Sequence, residues 1–350
     1  MKILLGMSGG LDSTYAALKL IEEGHTVEGA VLVMHDYTEV DAAKVAAGEL
    51  NIPLHIIDCR NSFEKCVVQN FVNEYLSART PNPCIICNSE IKFRFLHDYA
   101  VNNGFDRIAT GHYARIEEYE ADGEKRYAIL RAKDTRKDQT YMLWRLPQDI
   151  LSRIVFPLAD DEKQDVKTKA KEKKITAADM GESQEICFIP TGDYADFIEK
   201  RSKPMVCGNF IDTDGNVLGT HKGIARYTVG QRKGLGISAG QRVFVTEINP
   251  TDNTVTLSAN EVLEDTVFIS GIVFSGIKEL HVGEEITLSV KLRYLAKPVE
   301  CSLKYLGEGK GIVRLAVAQR AVTPGQSAVF YQNDRLVLGG FICRKNGMSV

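Results

Sequence analysis

The hydrophobic pattern of this chain changes near residue 205, and that change limits the possible folds more than any other feature of the sequence. Up to about residue 110, short apolar runs alternate with segments of helical periodicity. Strands that alternate with helices in this way indicate a parallel sheet covered by helices on both faces, a doubly wound α/β domain. The predicted strands are residues 2–6, 27–34, 54–58 and 105–110, the predicted helices are 12–23, 41–50, 62–78 and 90–102, and a hairpin is predicted at 113–116 and 126–130.

After residue 205 the apolar residues recur with a period of two, and glycines become frequent. Many short strands at this spacing are typical of small barrels or sandwiches. The dipeptide Asn249-Pro250 could mark a boundary between two β modules, and a second candidate boundary lies near residue 265. The chain is therefore predicted to continue from the α/β domain into a β region.

Charge and composition exclude several classes of protein. The 43 Lys and Arg residues against 46 Asp and Glu residues give a net charge of −3, so a nucleic-acid-binding surface would have to be a local patch. The apolar run at the N-terminus is too short for a signal peptide, and no apolar run is long enough to span a membrane. Eight cysteines without a secretory signal predict reduced thiols in a cytoplasmic protein with no membrane partner.

A glycine-rich loop follows the first predicted strand, where it gives way to the first predicted helix. Glycine lets backbone N–H groups turn inward around an anion, and the helix N-terminus contributes the positive end of its dipole. Ser8 and Ser13 offer hydroxyl donors, Asp12 could hold a magnesium ion bound to the same phosphates, and the lysine of a Walker loop is missing. The alternative is a tight turn with a capping Ser or Asp. The combination favours a phosphate loop made of Gly6, Met7, Ser8, Gly9, Gly10, Leu11, Asp12 and Ser13.

Three cysteines occur in places that favour chemistry over packing. Cys84 and Cys87 lie in a proline-containing loop that is predicted to run into a helix near Asn88, and a thiol at a helix N-terminus has a lowered pKa. Cys187 lies in a short polar segment between predicted helices. Sulfur handling by Cys187 with Cys87 and a dithiol of Cys84 and Cys87 both remain open, whereas a structural zinc needs more ligands than one C-x-x-C supplies. Packing roles are predicted for Cys59, Cys66, Cys301 and Cys343.

The loop sequence SGGLDS at residues 8–13 resembles the signature of the ATP-pyrophosphatase loop (PP-loop) superfamily. This resemblance implies that ATP is bound and cleaved between its α- and β-phosphates, with Leu32 and Gly111 lining the adenine and ribose. Further motifs resemble the tRNA-specific 2-thiouridylase family more specifically. They are RTPNPCIICNSEIKF at 79–93, ATGHYAR at 109–115, KDQTYML at 137–143, GESQEICF at 181–188, YTVGQRKGLG at 227–236, LRY at 292–294 and TPGQSAVFY at 323–331.

The family resemblance implies a PP-loop catalytic domain at residues 1–204, a central β domain at 205–264 and a C-terminal β-barrel at 265–350. It implies 2-thiolation of the wobble uridine of tRNA, rather than any action on DNA, with ATP and magnesium as cofactors and a separate protein as sulfur donor. A persulfide on Cys187 would attack the adenylated C2 of the base, and Cys87 would then attack the persulfide, leaving a disulfide between the two. The residues implied to contact tRNA are Asn82, Pro83, Cys84, His112, Lys137, Asp138, Gln139, Arg293, Tyr294 and Gln326.

Two features depart from the family pattern: many members carry Asp where this chain carries Cys84, and the segment at residues 35–41 is shorter than is usual in the family. The set of Cys84, Cys87 and Cys187 could instead hold an iron–sulfur cluster with one open iron site, which would change the mechanism but not the product. Two other functions also remain open: a PP-loop ligase that adenylates a small metabolite, and an RNA-binding module whose nucleotide loop is vestigial.

A basic, glycine-rich segment supports the RNA interpretation, because contacts to the phosphate backbone dominate RNA affinity. The lysine-rich segment at residues 163–174 could add to this surface or form an ordinary solvated helix face. The basic residues of the glycine-rich segment are Lys222, Arg226, Arg232, Lys233 and Arg242.

Overall fold

The structure of the protein is a computed structural model, and it describes residues 1–179, 186–189, 193–237 and 241–345. Within these residues the chain forms a five-stranded parallel sheet, a four-stranded sheet and an eight-stranded sheet. No helix in the described ranges is long and apolar enough to cross a membrane. The prediction of a doubly wound α/β domain, a small β domain and a β-barrel is confirmed.

The first part of the chain contains the strands β1 (Lys2–Gly6), β2 (Thr26–Val33), β3 (Leu54–Asp58), β4 (Arg107–Thr110), β5 (Ala114–Ala121), β6 (Glu124–Arg131) and β7 (Ile154–Val155). All of these except β5 and β6 form the parallel sheet, in the order β3-β2-β1-β4-β7. The central strand β1 is fully buried at Ile3, Leu4 and Leu5, because layers of helices cover both faces of the sheet. The sequence predicts β1 to β4 within two residues at each end and does not predict the two-residue strand β7.

The helices that cover the sheet and connect its strands are α1 (Leu11–Glu22), α2 (Val40–Glu49), α3 (Arg60–Phe63), α4 (Gln69–Leu76), α5 (Pro83–Ile86), α6 (Phe93–Asn102), α7 (Gln148–Leu151), α8 (Lys163–Glu172) and α9 (Tyr194–Glu199). A π-helical turn, Glu64–Val68, joins α3 to α4, and a second, Cys87–Lys92, joins α5 to α6. Single 3₁₀ turns are found at Thr140–Met142, Thr176–Asp179 and Ile224–Arg226.

The helix predicted to begin near Asn88 begins earlier, at Pro83, so that prediction is wrong. The side chain of Asn82 caps this helix, because its oxygen accepts a hydrogen bond from the backbone N–H of Cys84 at 3.2 Å. Proline suits the first helical position, where its missing N–H would have had no partner. Cys84 consequently lies in the first turn, and Cys87 lies one turn further into the helix.

The β region consists of β8 (Gly208–Ile211), β9 (Val217–His221), β10 (Phe244–Asn249), β11 (Thr254–Ser258), β12 (Leu263–Val273), β13 (Glu285–Lys291), β14 (Val299–Gly307), β15 (Lys310–Arg320), β16 (Ser327–Gln332) and β17 (Arg335–Cys343). Strands β8 to β11 form the four-stranded sheet of the central domain. Strand β12 pairs with both β15 and β17, and this closes the six strands β12 to β17 into a barrel.

The hairpin β5–β6 leaves the α/β domain and extends the barrel sheet, because β6 pairs with β17 at Leu130–Arg335 and Ile129–Leu336. Beside this seam, Trp144 is completely buried, and its indole N–H donates to the hydroxyl of Ser327 at 3.1 Å. The α/β domain and the barrel are thus joined by shared strand pairing and by a common core.

Replacing Gly339 by alanine is expected to destabilise this seam. A Cβ atom at position 339 would lie 2.6 Å from Cγ and 2.7 Å from Cε3 of the buried Trp144 ring, which has no free space into which it can move. Overpacking of this kind costs ~2–3 kcal/mol. Urea titration should show the lower free energy of unfolding, whereas Gly48→Ala, within α2 and with open space at its Cβ, should not destabilise the protein. Equal stability of Gly339→Ala and the wild type would contradict the close packing of Trp144 on β17.

Candidate active site

A pocket of about 510 Å³ opens at the carboxyl ends of β1, β2 and β4. In open parallel sheets ligands bind at this edge, beside the strand where the order of connections reverses, which here is β1 between β2 and β4. The wall of the pocket contains residues of the predicted phosphate loop and also a predicted sulfur residue. Its lining includes Ser8, Asp12, Ser13, Leu32, Gly111 and Cys187.

The phosphate loop is held by its own hydroxyl groups. The Ser8 N–H donates to Oγ of Ser13 at 3.2 Å, and this hydroxyl donates in turn to the carbonyl of Gly10 at 3.0 Å. Gly9 has a φ of +81°, and a Cβ there would lie 2.6 Å from the carbonyl oxygen of Ala42, so glycine is required. Helix α1 has no side-chain N-cap, so no capping side chain occupies the N–H groups of its first turn.

Two residues predicted to surround the adenosine lie in the same pocket. Leu32 is a buried residue of β2, and Gly111 follows the end of β4. A Cβ at position 111 would lie 2.8 Å from the backbone nitrogen of Ser13, so the segment after β4 packs directly on the start of α1. The contacts of Leu32 and Gly111 with adenosine stay predictions.

Lys163 is a residue of this site that the sequence analysis missed. Its ammonium lies 2.7 Å from both carboxylate oxygens of Asp12, and the hydroxyl of Tyr113 donates to the same carboxylate at 3.0 Å. Lys163 is the first residue of α8, and Asp134 accepts a hydrogen bond from its backbone N–H. Position 163 lies far from the loop in sequence and within a lysine-rich segment, so no local signal distinguished it from the neighbouring lysines. Lys163 of α8 therefore places an ammonium beside a loop that has no lysine of its own.

The predicted magnesium site is not preformed. Both oxygens of Asp12 accept from Lys163, and among the described residues no group of three His, Cys, Asp or Glu side chains is placed to hold a metal ion. A magnesium ion would therefore have to arrive bound to the triphosphate, with Asp12 as one protein ligand in exchange for part of its contact with Lys163.

The sulfur residues lie around the same pocket, although they are far apart along the chain. Cys187 is exposed and lines the pocket, and Phe188 next to it is anchored edge-on against Phe63 at 5.5 Å between ring centroids. The rest of this motif, residues 181–185, lies outside the described residues. Cys87 is buried, and its thiol lies 3.7 Å from the sulfur of Met34, another pocket residue.

Burial raises the pKa of the Cys87 thiol to about 12, and the protein atoms around the sulfur of Cys187 also raise its pKa by excluding water, although the residue as a whole is exposed at the pocket wall. The prediction of a lowered pKa for Cys87 is therefore wrong. Its physical reason is that Cys87 lies one turn inside the helix, where removal from water outweighs the helix dipole. The ammonium of Lys92 opposes this effect at both thiols, whereas Cys84 raises the pKa of both and Cys187 also raises the pKa of Cys87.

The fit of the three cysteines to an iron–sulfur cluster can be judged from their positions. Cys84 is exposed on the first helical turn, Cys87 is buried and Cys187 is exposed. In the part of the chain that the structure describes, they do not form a group placed to bind a metal ion. The residues as arranged do not fit the cluster.

The prediction that Cys66 has a packing role is wrong. Cys66 is exposed, because it lies on the outer side of the first π-helical turn.

Thr80 connects the cysteine-bearing segment to both β domains. Its backbone N–H donates to the carbonyl of Pro324 at 2.8 Å, and its carbonyl accepts from the amide of Gln326 at 2.8 Å, both in the barrel. Its hydroxyl lies 3.2 Å from the hydroxyl of Thr228 in the central domain. The segment that leads to Cys84 and Cys87 is thus supported from two other domains.

The residues predicted to contact tRNA occupy different environments. His112 and Gln139 line the pocket, and burial together with the charge of Lys92 lowers the pKa of His112 to about 3, so its ring is neutral at pH 7. Asp138 is buried and accepts hydrogen bonds from the backbone and hydroxyl of Thr140. Pro83 is also buried, Cys84 and Arg293 are exposed, and Asn82, Lys137, Tyr294 and Gln326 are partly buried. Contacts of all these residues with tRNA stay predictions.

An arginine-lined cavity of about 270 Å³ lies between the central domain and the barrel, and Arg232, Arg242, Arg293 and Arg320 contribute to its wall. Arg232 and Arg242 of the basic segment thus lie in one wall with two arginines of the barrel, and Glu261 and Glu264 are in the same wall. Arg226 does not take part, because it is paired with Asp196 at 3.2 Å and Glu199 at 2.6 Å.

Three family models match the chain along most of its length. They are described as the tRNA methyl transferase HUP domain over residues 1–191, the tRNA methyl transferase PRC-barrel domain over 195–259 and the aminomethyltransferase β-barrel domain over 265–342.

Curated relatives match the whole chain. The tRNA-specific 2-thiouridylase MnmA of Acetivibrio thermocellus is 42% identical, with 97% of this chain and 99% of the relative covered. The protein of the same name from Caldicellulosiruptor saccharolyticus is 41% identical over 97% and 98% of the two chains. Among solved structures, a 4-thiouridine synthetase in complex with RNA and ATP is 16% identical, covering 57% of this chain and 50% of that chain, with a TM-score of 0.37.

Proposed function

The chain belongs to the tRNA-specific 2-thiouridylase family, and from this premise we propose that it thiolates a tRNA uridine by ATP-dependent adenylation followed by sulfur transfer from Cys187. It is a tRNA-modifying sulfurtransferase. The observation that carries the proposed route is the single pocket whose wall contains both the phosphate loop and Cys187. A reaction that first activates an oxygen and then replaces it by sulfur needs these two functions in one place. The wobble position, the cytoplasmic location and a separate sulfur-donor protein belong to the same proposal.

In the first step, the C2 oxygen of the uracil attacks the α-phosphorus of ATP. The bond to the β-phosphate breaks, pyrophosphate leaves and the base loses its N3 proton to water. The N–H groups at the start of α1, the hydroxyls of Ser8 and Ser13, and the ammonium of Lys163 would bind the phosphates and stabilise the charge that develops on pyrophosphate. A magnesium ion that enters with ATP would contribute further positive charge at Asp12.

In the second step, the terminal sulfur of a Cys187 persulfide anion attacks C2, and AMP leaves with the original oxygen. The Cys87 thiolate then attacks Sγ of Cys187, and the electrons of the broken S–S bond stay on the transferred sulfur. The base regains its N3 proton as 2-thiouridine, and Cys87 and Cys187 are left as a disulfide. A dithiol reductant must supply two electrons before the next turnover. Because the three cysteines do not fit a cluster, the persulfide route is the one we propose.

We propose that tRNA binds across all three domains, which we divide at residues 204/205 and 264/265. The arginine-lined cavity would take backbone phosphates, since arginine pairs well with phosphate oxygens. The exposed segment around Cys84 would meet the base, and the remaining predicted contacts would lie between these two sites. Thr80, which is hydrogen-bonded to both β domains, would keep these two sites in a fixed relative position.

The experiment that tests the function combines the protein with ATP, magnesium, a persulfide donor, a dithiol and unmodified tRNA. We expect 2-thiouridine in the digested tRNA and one pyrophosphate released for each thiolated base. The mass of the modified nucleoside distinguishes sulfur in place of oxygen from an added methyl group, which the family descriptions name. No thiolated nucleoside under anaerobic, reducing conditions would overturn the proposal.

The same experiment decides between the proposal and the two other functions. A ligase for a small metabolite would release pyrophosphate without any requirement for tRNA, and Cys87→Ser and Cys187→Ser variants would keep full activity. An RNA-binding module would bind tRNA and turn over no ATP. Only the proposed function requires both tRNA and the two cysteines.

A further inference from the structure

Lys92 ends the π-helical turn Cys87–Lys92 that joins α5 to α6. In a π-helix the hydrogen bonds run from residue i to residue i+5, so Cys87 and Lys92 are brought to one side of the helix, whereas an α-helix would separate them. Such turns are rare and occur frequently at functional sites. Lys92 also lines the nucleotide pocket together with Ser8, His112 and Cys187. The turn therefore places Lys92 in the wall of the pocket that also contains residues of the phosphate loop and Cys187.

The titratable groups that shift the pKa of Lys92 are thiols. Burial acts to lower the pKa of Lys92, whereas the thiols of Cys87, Cys84 and Cys187 act to raise it and together outweigh burial. Asp12 and Glu39 also line the pocket, but Asp12 is paired with Lys163, and in the described part of the chain no Asp or Glu is seen in an ion pair with Lys92. His112, its other titratable neighbour, is neutral at pH 7 because burial lowers its pKa to about 3. The ammonium thus has no fixed counter-ion among these neighbours until a sulfur becomes negatively charged.

We propose that Lys92 is a positioning residue that supplies the positive charge for the sulfur chemistry, stabilising first the persulfide anion of Cys187 and then the thiolate of Cys87. This inference rests on the proposed function and adds a residue to its mechanism. Each of the two sulfur steps consumes an anion, and each anion forms by loss of a proton to water. Burial disfavours both anions, and Lys92 is the charged side chain that opposes this effect at both sulfurs, with the backbone N–H groups of Cys187 and Phe188 also acting at Cys187.

The test measures the charge of the thiol rather than the activity of the enzyme. The rate at which iodoacetamide alkylates Cys187 is followed by peptide mass spectrometry between pH 6 and pH 10, because only the thiolate reacts. In Lys92→Met the loss of the cation raises the thiol pKa, so the curve should shift to higher pH and the rate at pH 8 should fall about tenfold. Lys92→Arg keeps the charge and should stay near the wild type.

The matched control is Lys167→Met, which removes an exposed lysine from α8 and should leave the alkylation profile unchanged. If Lys92→Met does not fold, Lys92→Gln carries the same prediction. A folded Lys92→Met or Lys92→Gln variant with a wild-type alkylation profile would overturn the role of Lys92. The alkylation experiment does not depend on thiolation activity. A wild-type protein that makes no 2-thiouridine would overturn the proposed function. The alkylation profile would still show whether Lys92 stabilises the thiolate.

Discussion

Replacing Cys187 by alanine is expected to lower the formation of 2-thiouridine by at least about a thousandfold, because the variant lacks the one cysteine found in the described wall of the pocket. The phosphate loop and Lys163 are unchanged by this substitution. A single round of tRNA-dependent pyrophosphate release should therefore persist, since adenylation precedes sulfur transfer. The measurements are nucleoside mass spectrometry for the product and an enzymatic assay for pyrophosphate.

Two other cysteines provide controls for this prediction. Cys207→Ser removes an exposed thiol from the central domain and should leave thiolation unchanged. Cys84→Ala should retain most of the activity on the persulfide route, whereas a cluster that needed Cys84 as a ligand would lose its activity and its iron. Thiolation by Cys187→Ala at more than a tenth of the wild-type rate would contradict the assignment of the sulfur carrier.

The second large effect is expected for Lys163→Met, which removes the only ammonium seen on the carboxylate of Asp12 in the described structure. If Lys163 stabilises the departing pyrophosphate, kcat/KM for ATP should fall by about 10²–10³. Lys163→Arg should restore part of the activity, because it keeps the charge but not the geometry. The measurement is the initial rate of tRNA-dependent pyrophosphate release over a range of ATP concentrations.

Lys167, one turn further along α8, offers a matched control for Lys163. Its side chain is exposed, and Lys167→Met should release pyrophosphate at the wild-type rate. Circular dichroism of both variants tests whether α8 is intact. Lys163→Met with ATP kinetics within a factor of three of the wild type would remove Lys163 from the phosphate site.

The fold could be predicted to the extent that it depends on local pattern. The apolar runs that form β1 to β4 are each bounded by polar or glycine residues, so their limits were predicted within two residues. The start of the helix at Pro83 was missed because a run of prolines and cysteines has no apolar periodicity, although Asn82 followed by Pro83 is itself an N-terminal signal. The pairing of β6 with β17 depends on residues such as Ile129 and Leu336, and no local pattern indicates so distant a partner.

The candidate site was also predictable only where it depends on local sequence pattern. Glycines and hydroxyls at a strand–helix junction identify the phosphate loop without any tertiary information. The position of Lys163 beside Asp12 depends on how α8 packs against α1, and no local sequence pattern predicts that packing. The raised pKa of Cys87 was also inaccessible, because burial is a property of the folded chain and here it outweighs the helix dipole.

The seam between β6 and β17 has a consequence for how the chain can be divided. A fragment that ended at residue 204 would expose Trp144 and Tyr141 to water and would leave the outer edge of β6 with no neighbouring strand. The same cut would remove Pro324 and Gln326, which are hydrogen-bonded to Thr80. The segment that carries Cys84 and Cys87 would then lose its support from the barrel. The α/β part is therefore not expected to keep its native packing once it is cut from the barrel.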